Sequence, residues 1–419
     1  MKRLLACLVT LITVISLAGC DLKKITDMMD NEKSEDTGML SPVLVEWESD
    51  GIKFKSHADA VKRNDYYRYS GLGEKDKALY DDIYDAVISG VSVLDVSKHK
   101  IKGDDVEKIY HIFMADNPSL FYISRTCKYV YSNDDGIVSE ILLMYSDGEI
   151  TDEFDSNCKL IKTADREVIA DKISELEKCV NAILEDIPEN TSEIDKEKLI
   201  HDYIVDNTKY NNSDVSRYEN SDTVPHIFDA YGALCETEAV CEGYAKAFQL
   251  LCYEAGINCI QAEGVGNSSQ HMWNAVLLDD WYYVDVTWND DVDGDLPYYA
   301  YFNIPDEVFF EDHILDTTYL SVPKCEGEKY SYYNYYCAKV TTDDMPPENY
   351  KRLADSINDG KLDYAVIYSP FVTLTDVYLR EHFLDENSVF MNYVNAKGYG
   401  ISLMWEYHMV GDYYYIPVD

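Results

Sequence analysis

Residues 239–251 read Ala-Val-Cys-Glu-Gly-Tyr-Ala-Lys-Ala-Phe-Gln-Leu-Leu, and this stretch decides the fold. From residue 244 onward its apolar residues recur at the spacing of one helix face, as Tyr244, Phe248, Leu251, Cys252 and Ala255. Gly256 is a natural residue to end that helix. The pattern predicts a helix that begins at or just after Cys241. There the unpaired amides of the first turn and the helix dipole favour a thiolate, so Cys241 is a candidate nucleophile.

The residues that follow predict a sheet that carries a histidine and an acid. Strands are predicted at 259–265, 271–278 and 281–288, with a polar loop at 266–270. His271 then begins the second strand and Asp285 lies in the third. A cysteine, a histidine and an acid in this order can serve as nucleophile, base and orienting acid. Without these partners, Cys241 could also be an apolar core thiol.

The turn at Asp279-Asp280 decides whether Asp285 can reach His271. A two-residue turn would place Asp285 opposite Asn274, on the strand face away from His271. A three-residue loop that includes residue 278 would instead place Asp285 diagonal to His271. We therefore predict a three-residue or bulged turn, because the triad needs that register.

These motifs together resemble the transglutaminase-like superfamily of bacterial surface proteins. The resemblance runs from near Ile194 to Trp288 and is carried by residues 241–245, 255–257, 271–274 and 281–288. It implies an α+β fold with a papain-like core, in which the nucleophile helix packs on an antiparallel sheet flanked by small mixed α/β units. It also implies that Cys241 attacks an amide carbonyl, His271 moves the proton and Asp285 orients the imidazole.

The donors that would stabilise an oxyanion are less well defined. The backbone amide of Cys241 is the first candidate. Trp273 and Asn274 match the family pattern beside His271. For these two side chains a positioning role at the site and a packing role both stay open.

The amino terminus has the layout of a lipoprotein signal peptide. Residues 1–19 contain Met-Lys-Arg and then an apolar run that ends in Leu-Ala-Gly before Cys20. The run is short for a transmembrane helix, and the pattern resembles a lipobox in which Cys20 is lipidated. An ordinary secretory signal with a chance cysteine is the alternative. Residues 20–56 are charged and polar, so we expect a tether that holds the protein at the extracytoplasmic face of the cell membrane.

The length of the chain predicts three folded regions, and its net charge disfavours certain partners. The 419 residues predict an N-terminal α+β region at 57–190, a catalytic domain at 191–305 and a C-terminal α+β domain at 306–419. The net charge of −42 disfavours nucleic acid and anionic lipid headgroups as partners.

Of the 11 cysteines, Cys7 and Cys20 lie at the amino terminus, which leaves an odd number in the folded part. A free nucleophile would explain an odd count, and so would a chain without disulfides.

Periodicity predicts further elements around the catalytic region. Amphipathic helices are expected through 79–87, 106–113 and 169–183, and another from Ser192. A hairpin is expected across 120–131 and 137–145. In the C-terminal part we expect a helix through 350–357, a strand at 362–369 and a closing hairpin at 401–409 and 413–418.

Three other patterns are set aside, so neither a metal nor a cofactor is predicted. A zinc site from Cys235, Cys241, Cys252 and Cys259 lacks any C-x-x-C pair. The acidic run at 290–295 lacks the Glu that closes a calcium loop, which favours a solvated turn. The Tyr-rich run at 330–336 could offer aromatic faces to a sugar or peptide, but a packed strand is the preferred interpretation.

The function predicted is an extracytoplasmic cysteine-dependent enzyme that acts on amide bonds of peptides or proteins through a thioester. Water would make it a peptidase or amidase, and a lysine amine would make it a protein cross-linker. Hydrolysis is slightly favoured, because a lipid-anchored protein first meets peptides and proteins of the cell surface and cell wall. The alternative is a catalytically silent binding or scaffold module with the same fold.

Overall fold

The computed structural model describes residues 53–58, 60–213, 225–290, 299–340, 346–360, 362, 364–369, 372–405, 407–410 and 413–418. The predicted signal peptide, the predicted lipidation site Cys20 and most of the predicted tether lie outside these residues, and so does most of the acidic run at 290–295. No helix within the described ranges is both long enough and apolar enough to cross a membrane.

The chain divides into two compact units. The first contains the residues up to Asn274 together with Ile314–Val322, and the second contains Ala275–His313 together with Pro323–Asp419. The structure is 42% helical and 21% strand, which confirms the predicted α+β class. The domain bounds given above stay a prediction.

Helices alternate with short strands along the described chain. The α-helices are α1 (Tyr67–Gly71), α2 (Glu74–Ile88), α3 (Gly103–Asp116), α4 (Arg166–Glu185), α5 (Glu193–Asn207), α6 (Cys241–Glu254), α7 (Val286–Asn289), α8 (Asp306–Phe309), α9 (Tyr332–Tyr335), α10 (Pro347–Asn358), α11 (Asp376–Leu379) and α12 (Val389–Lys397). Short 3-10 turns occur at Arg63–Asp65, Ser97–His99 and His226–Phe228, and π-helical turns at Gly232–Glu236 and Arg380–Leu384.

The strands are mostly short. They are β1 (Val93–Asp95), β2 (Lys128–Tyr131), β3 (Val138–Leu142), β4 (Glu153–Phe154), β5 (Leu160–Lys162), β6 (Lys209–Tyr210), β7 (Glu238–Ala239), β8 (Asn258–Gly266), β9 (Ser269–Leu277), β10 (Trp281–Val284), β11 (His313–Leu315), β12 (Ala338–Lys339), β13 (Tyr364–Tyr368), β14 (His408–Val410) and β15 (Tyr413–Pro417).

The predicted helices of the first unit are confirmed. The stripes at 79–87, 106–113 and 169–183 lie within α2, α3 and α4, and their apolar residues are buried. The Ser192 side chain caps α5 by accepting a hydrogen bond from the amide of Asp195. The predicted hairpin is only partly correct, because β2 begins at Lys128 and the residues before it form turns.

The core around α6 follows the predicted face. Tyr244, Phe248 and Leu251 are fully buried, and α6 packs against β8 and α5. Burial of a side chain such as Phe248 or Leu251 stabilises the fold by about 1.5–3 kcal/mol. These residues therefore fix the helix that begins at Cys241.

A hairpin of β8 and β9 forms the sheet on which α6 packs. Asn267 and Ser268 connect the strands with φ values of 46° and 66°, the pair of positive angles found in a tight two-residue hairpin. The loop is therefore shorter than the predicted 266–270. β8 lies between β9 and β11, so α6 packs on a sheet that contains this hairpin.

The second unit contains a four-stranded sheet in the order β12-β13-β15-β14. β12 is parallel to β13, and the other pairs are antiparallel. The predicted helix and strand correspond to α10 and β13. The predicted closing hairpin corresponds to the β14–β15 pair, but its first strand begins at His408 rather than at residue 401, and residues 411–412 lie outside the described part. The strand predicted for the Tyr-rich run at 330–336 is wrong, because residues 332–335 form the helix α9.

Candidate active site

Cys241 is the first residue of α6. Val240 before it is extended, with φ −99° and ψ 179°, and Tyr244 donates a backbone hydrogen bond to the carbonyl of Val240. No side chain caps the helix, so the Cys241 sulfur lies at a helix start whose free amides favour negative charge. The cysteine side chain is half-buried, so it keeps access to solvent.

Gly243 allows a close approach over the first turn of α6. A Cβ atom there would lie 2.7 Å from the carbonyl oxygen of Ile227 and 2.8 Å from the Cβ of Ala239. Real Cβ atoms do not approach neighbours so closely. The glycine in the Cys-Glu-Gly motif therefore lets two neighbouring segments converge beside the helix start.

Glu242 anchors a cluster of charges beside Cys241. Arg125 Nη1 lies 2.7 Å from one carboxylate oxygen, and Lys246 Nζ lies 2.6 Å from the other. Burial by itself would raise the pKa of Glu242, but the two cations outweigh burial and lower this pKa to about 2. Glu242 is consequently ionised and neutralised within the first turn of α6.

His271 and Trp273 lie on one face of β9. The His271 side chain is nearly buried, Trp273 is fully buried, and their ring centroids are 6.0 Å apart. Asn274 is on the other face, where its side-chain amide donates to the carbonyls of Ala245 at 2.9 Å and Ile260 at 3.4 Å. Its amide thus joins β9 to α6 and β8.

The predicted three-residue turn is confirmed. β9 ends at Leu277 and β10 begins at Trp281, so three residues lie between the strands. The amide of Leu278 donates to the carbonyl of Asp280 at 3.0 Å across this short loop. An acidic pair without glycine is therefore sufficient to make the turn.

Asp285 begins a helix, which corrects the predicted third strand. β10 stops at Val284, and Asp285 caps α7 by accepting a hydrogen bond from the amide of Trp288 at 3.1 Å. The residues 286–288 are therefore helical. The Asp285 side chain is fully buried, so its carboxylate requires partners within the fold.

His313 is a partner of Asp285 that the sequence does not predict. His313 Nε2 lies 3.2 Å from Asp285 Oδ2, and both side chains are fully buried. His313 Nδ1 lies 2.6 Å from Asp312 Oδ1. Both ring nitrogens of His313 thus face carboxylate oxygens.

Aromatic rings hold the His313 imidazole in place. The ring of Phe309 stacks on it with centroids 3.9 Å apart, and the Trp288 ring lies 4.2 Å away. Tyr301 donates its hydroxyl to the second oxygen of Asp312 at 2.6 Å. The only local signal in the sequence was an acid directly before the histidine, which is too common to identify such a site.

The cysteines set aside as a zinc site fall into separate environments. The sulfur of Cys235 contacts that of Cys179 at 2.8 Å. Cys252 on α6 and Cys259 on β8 are both fully buried. Cys241 alone of the four begins a helix.

Comparison with known proteins identifies the region that carries these features. The family model of the transglutaminase-like superfamily matches residues 181–286, which include α5, α6 and β8 to β10. Residues 181–286 form a transglutaminase-like domain. No curated protein matches the chain.

Several solved structures match part of the chain at low sequence identity. A transglutaminase crystal structure is 16% identical with a TM-score of 0.25, and the match covers 42% of this chain and 46% of that one. A putative cysteine protease from Cytophaga hutchinsonii is 15% identical with a TM-score of 0.23, covering 45% and 65%. A putative protease from Parabacteroides distasonis ATCC 8503 is 12% identical with a TM-score of 0.22, covering 38% and 36%. The chain thus spans less than two thirds of each of these proteins.

Proposed function

We propose that this protein is an extracytoplasmic cysteine-dependent enzyme that acts on amide bonds of peptides or proteins through a thioester. The observation that carries the proposal is the position of Cys241, a half-buried thiol at an uncapped helix start within a transglutaminase-like domain. In this proposal the Cys241 sulfur attacks the carbonyl carbon and His271 takes the thiol proton. His271 then returns the proton to the amine that leaves.

Asp285 is proposed to orient the His271 imidazole. Two observations support this role. The three-residue turn between β9 and β10 is the register that the triad requires. In addition, the buried Asp285 carboxylate is fixed by the amide of Trp288 and by His313, so its direction is set before substrate binds. His313 is thus proposed as a positioning residue that acts through Asp285.

The thioester is resolved by water or by an amine. With water the protein is a peptidase or amidase, and with a lysine amine it transfers the acyl group and cross-links proteins. We favour hydrolysis, because peptides and proteins of the cell surface are the first partners of an anchored enzyme. The backbone amide of Cys241 is the proposed first oxyanion donor.

A two-readout assay tests this proposal. Casein, a glutamine-containing protein, is incubated with the enzyme and a fluorescent primary amine, and both amine incorporation and casein fragments are measured. Fragments without incorporation indicate hydrolysis, and incorporation indicates transfer; either must disappear in Cys241→Ala. Cys158→Ala is the matched control, since Cys158 is also a half-buried thiol, and it should keep full activity. Activity that survives in Cys241→Ala would overturn the proposal.

The anchor is proposed from the sequence pattern at residues 1–20. Cys20 would carry the lipid, and residues 21–56 would hold the enzyme away from the membrane. Metabolic labelling with an alkyne fatty acid, followed by detergent phase partition, tests this. Label and partition into the detergent phase should both be lost in Cys20→Ala. Unchanged partition of that variant would refute the anchor.

A further inference from the structure

One face of α4 carries three polar side chains that all contact the segment leading to the nucleophile helix. Lys172, Glu175 and Cys179 are spaced by three and four residues, so they line up along the helix. Lys172 Nζ lies 2.8 Å from His226 Nε2, and the Tyr231 hydroxyl donates to Glu175 at 2.6 Å. Cys179 is the third member of this row and meets Cys235.

The two sulfurs lie close together. Cys179 Sγ and Cys235 Sγ are 2.8 Å apart, although the residues are 56 positions apart in sequence. A disulfide bond holds its sulfurs at about 2.05 Å, so closing this pair needs a movement of less than about 1 Å. Both side chains are half-buried, which leaves them accessible to a small thiol reagent.

The contact between the two cysteines shifts their pKa values in opposite directions. The hydrogen bond with Cys235 lowers the pKa of Cys179, and the same contact raises the pKa of Cys235. Cys179 is therefore the more acidic of the two thiols. This is the division of roles that thiol–disulfide exchange uses, with one attacking and one resolving sulfur.

We propose that Cys179 and Cys235 form a redox-active disulfide site that fastens the approach to the nucleophile helix onto α4. The oxidant is a small external disulfide. The Cys179 sulfur attacks one of its sulfurs, a new S–S bond forms, and one thiolate leaves. Cys235 then loses its proton and attacks the Cys179 sulfur, which releases the second thiol. The two cysteines are oxidised, and the external disulfide is reduced to two thiols.

Cys235 lies shortly before Cys241 in the chain, so a cross-link there would fix the connection to Cys241. Cys235 lies in the turn Gly232–Glu236, and Thr237 follows in a left-handed conformation with φ 57°. β7 and Val240 then lead directly to Cys241. A bond at Cys235 therefore fixes the start of this short connection, while Cys241 itself stays reduced and free to react.

Other thiols of the first unit are poorer candidates for the same chemistry. Cys252 and Cys259 contact each other, but both are fully buried, so an external disulfide cannot reach them. Burial raises the pKa of both Cys127 and Cys158, which disfavours their thiolates. The geometry and the access needed for exchange thus coincide at Cys179 and Cys235.

Peptide mapping after oxidation tests the site. The purified full chain is treated with glutathione disulfide, alkylated, and digested with trypsin and a Glu-specific protease. Cleavage after Glu236 separates Cys235 from Cys241, which trypsin alone leaves on one peptide. We expect a linked pair of peptides that carry Cys179 and Cys235. We also expect the melting temperature to rise on the order of 5 °C, because the bond closes a long loop.

Three variants make the result decisive. Cys235→Ser removes the resolving thiol, so a glutathione adduct should accumulate on Cys179. Cys158→Ser is the matched control and should form the same linked peptides as the wild type. Cys241→Ala should form them too, which separates this proposal from the enzymatic one. Alkylation of both Cys179 and Cys235 after oxidation, or a link to any other cysteine, would overturn the proposal.

Discussion

The environment of Cys241 in the first unit and that of Asp285 in the second differ in how far their charged side chains are exposed to solvent. Beside Cys241, the carboxylate of Glu242 is neutralised by Arg125 and Lys246, and the Arg125 side chain is still 33% exposed. Around Asp285, the carboxylate and the His313 ring are both fully buried. The first region stays open to reagents, whereas the second is closed and held by hydrogen bonds.

This difference separates two requirements of covalent catalysis. A nucleophile must be reached by its substrate, so its surroundings can be stabilised only by groups at the edge of the site. An orienting acid is never touched by substrate, so it can be buried and fixed. Substitutions of Cys241 itself, in the open region, should therefore change activity without changing stability. Those in the closed region should change both, since they leave a buried group without its partner.

The largest effect is expected at the nucleophile. Cys241→Ala should lower the rate of acyl transfer or hydrolysis by at least about 10,000-fold, because the thioester cannot form. The melting temperature should stay within about 1 °C of the wild type, since the sulfur is half-buried at a helix start and caps no group. Rates are measured with the two-readout assay and melting by circular dichroism. A large loss of stability would contradict the open character of this region.

Asp285→Asn should come next and affect both properties. Asparagine keeps the cap on α7 but removes the charge that faces His313. We expect kcat to fall about 100- to 1,000-fold and the free energy of unfolding to fall by about 2–4 kcal/mol. Urea unfolding and steady-state kinetics check the two effects. Asp280→Asn, in the exposed turn, is the matched control and should change neither.

His313→Gln should have a smaller effect on catalysis. One glutamine amide cannot reproduce the contacts of two ring nitrogens with Asp285 and Asp312, so the acid loses its fixed direction. We expect kcat to fall about 10-fold with KM unchanged, as for a residue that acts through another. Retained kcat together with lower stability would show that His313 serves packing alone.

The smallest effect on activity is expected at Glu242, whose contribution to stability depends on pH. Its folded pKa of about 2 is below the usual value of 4.5, so the stabilisation is present above about pH 5 and is lost as the pH falls toward 2. Glu242→Gln should therefore destabilise by about 3 kcal/mol at pH 7 and by much less at pH 3. Urea midpoints at the two pH values measure this. The exposed Glu236→Gln should show no such pH dependence.

The sequence predicted the parts of the site that depend on local pattern. α6 is periodic over its whole length and is followed by Gly256, so its start at Cys241 is predictable from the sequence. The turn between β9 and β10 followed from strand parity, because only one register serves the triad. Both features depend on residues close together in the chain.

The parts that were wrong or missed depend on distant contacts or on competing local signals. Residues 286–288 have strand-forming side chains, but Asp285 is also a helix cap, and the cap prevails. The run at 332–335 was assigned to a strand by its aromatic content, yet it is helical. His313 meets Asp285 across 28 residues, and Cys179 meets Cys235 across 56, so no motif could reveal either pair.

The most direct test of the central claim is the rate at which iodoacetamide alkylates each cysteine, with trypsin and a Glu-specific protease used to resolve Cys241 from Cys235. In the reduced wild-type protein at pH 7, we predict that Cys241 reacts at least about 10-fold faster than Cys127 or Cys158. That advantage should be lost in His271→Ala. Equal, slow alkylation of all the cysteines, or a Cys241 rate that does not respond to His271, would contradict a Cys241 nucleophile served by that base.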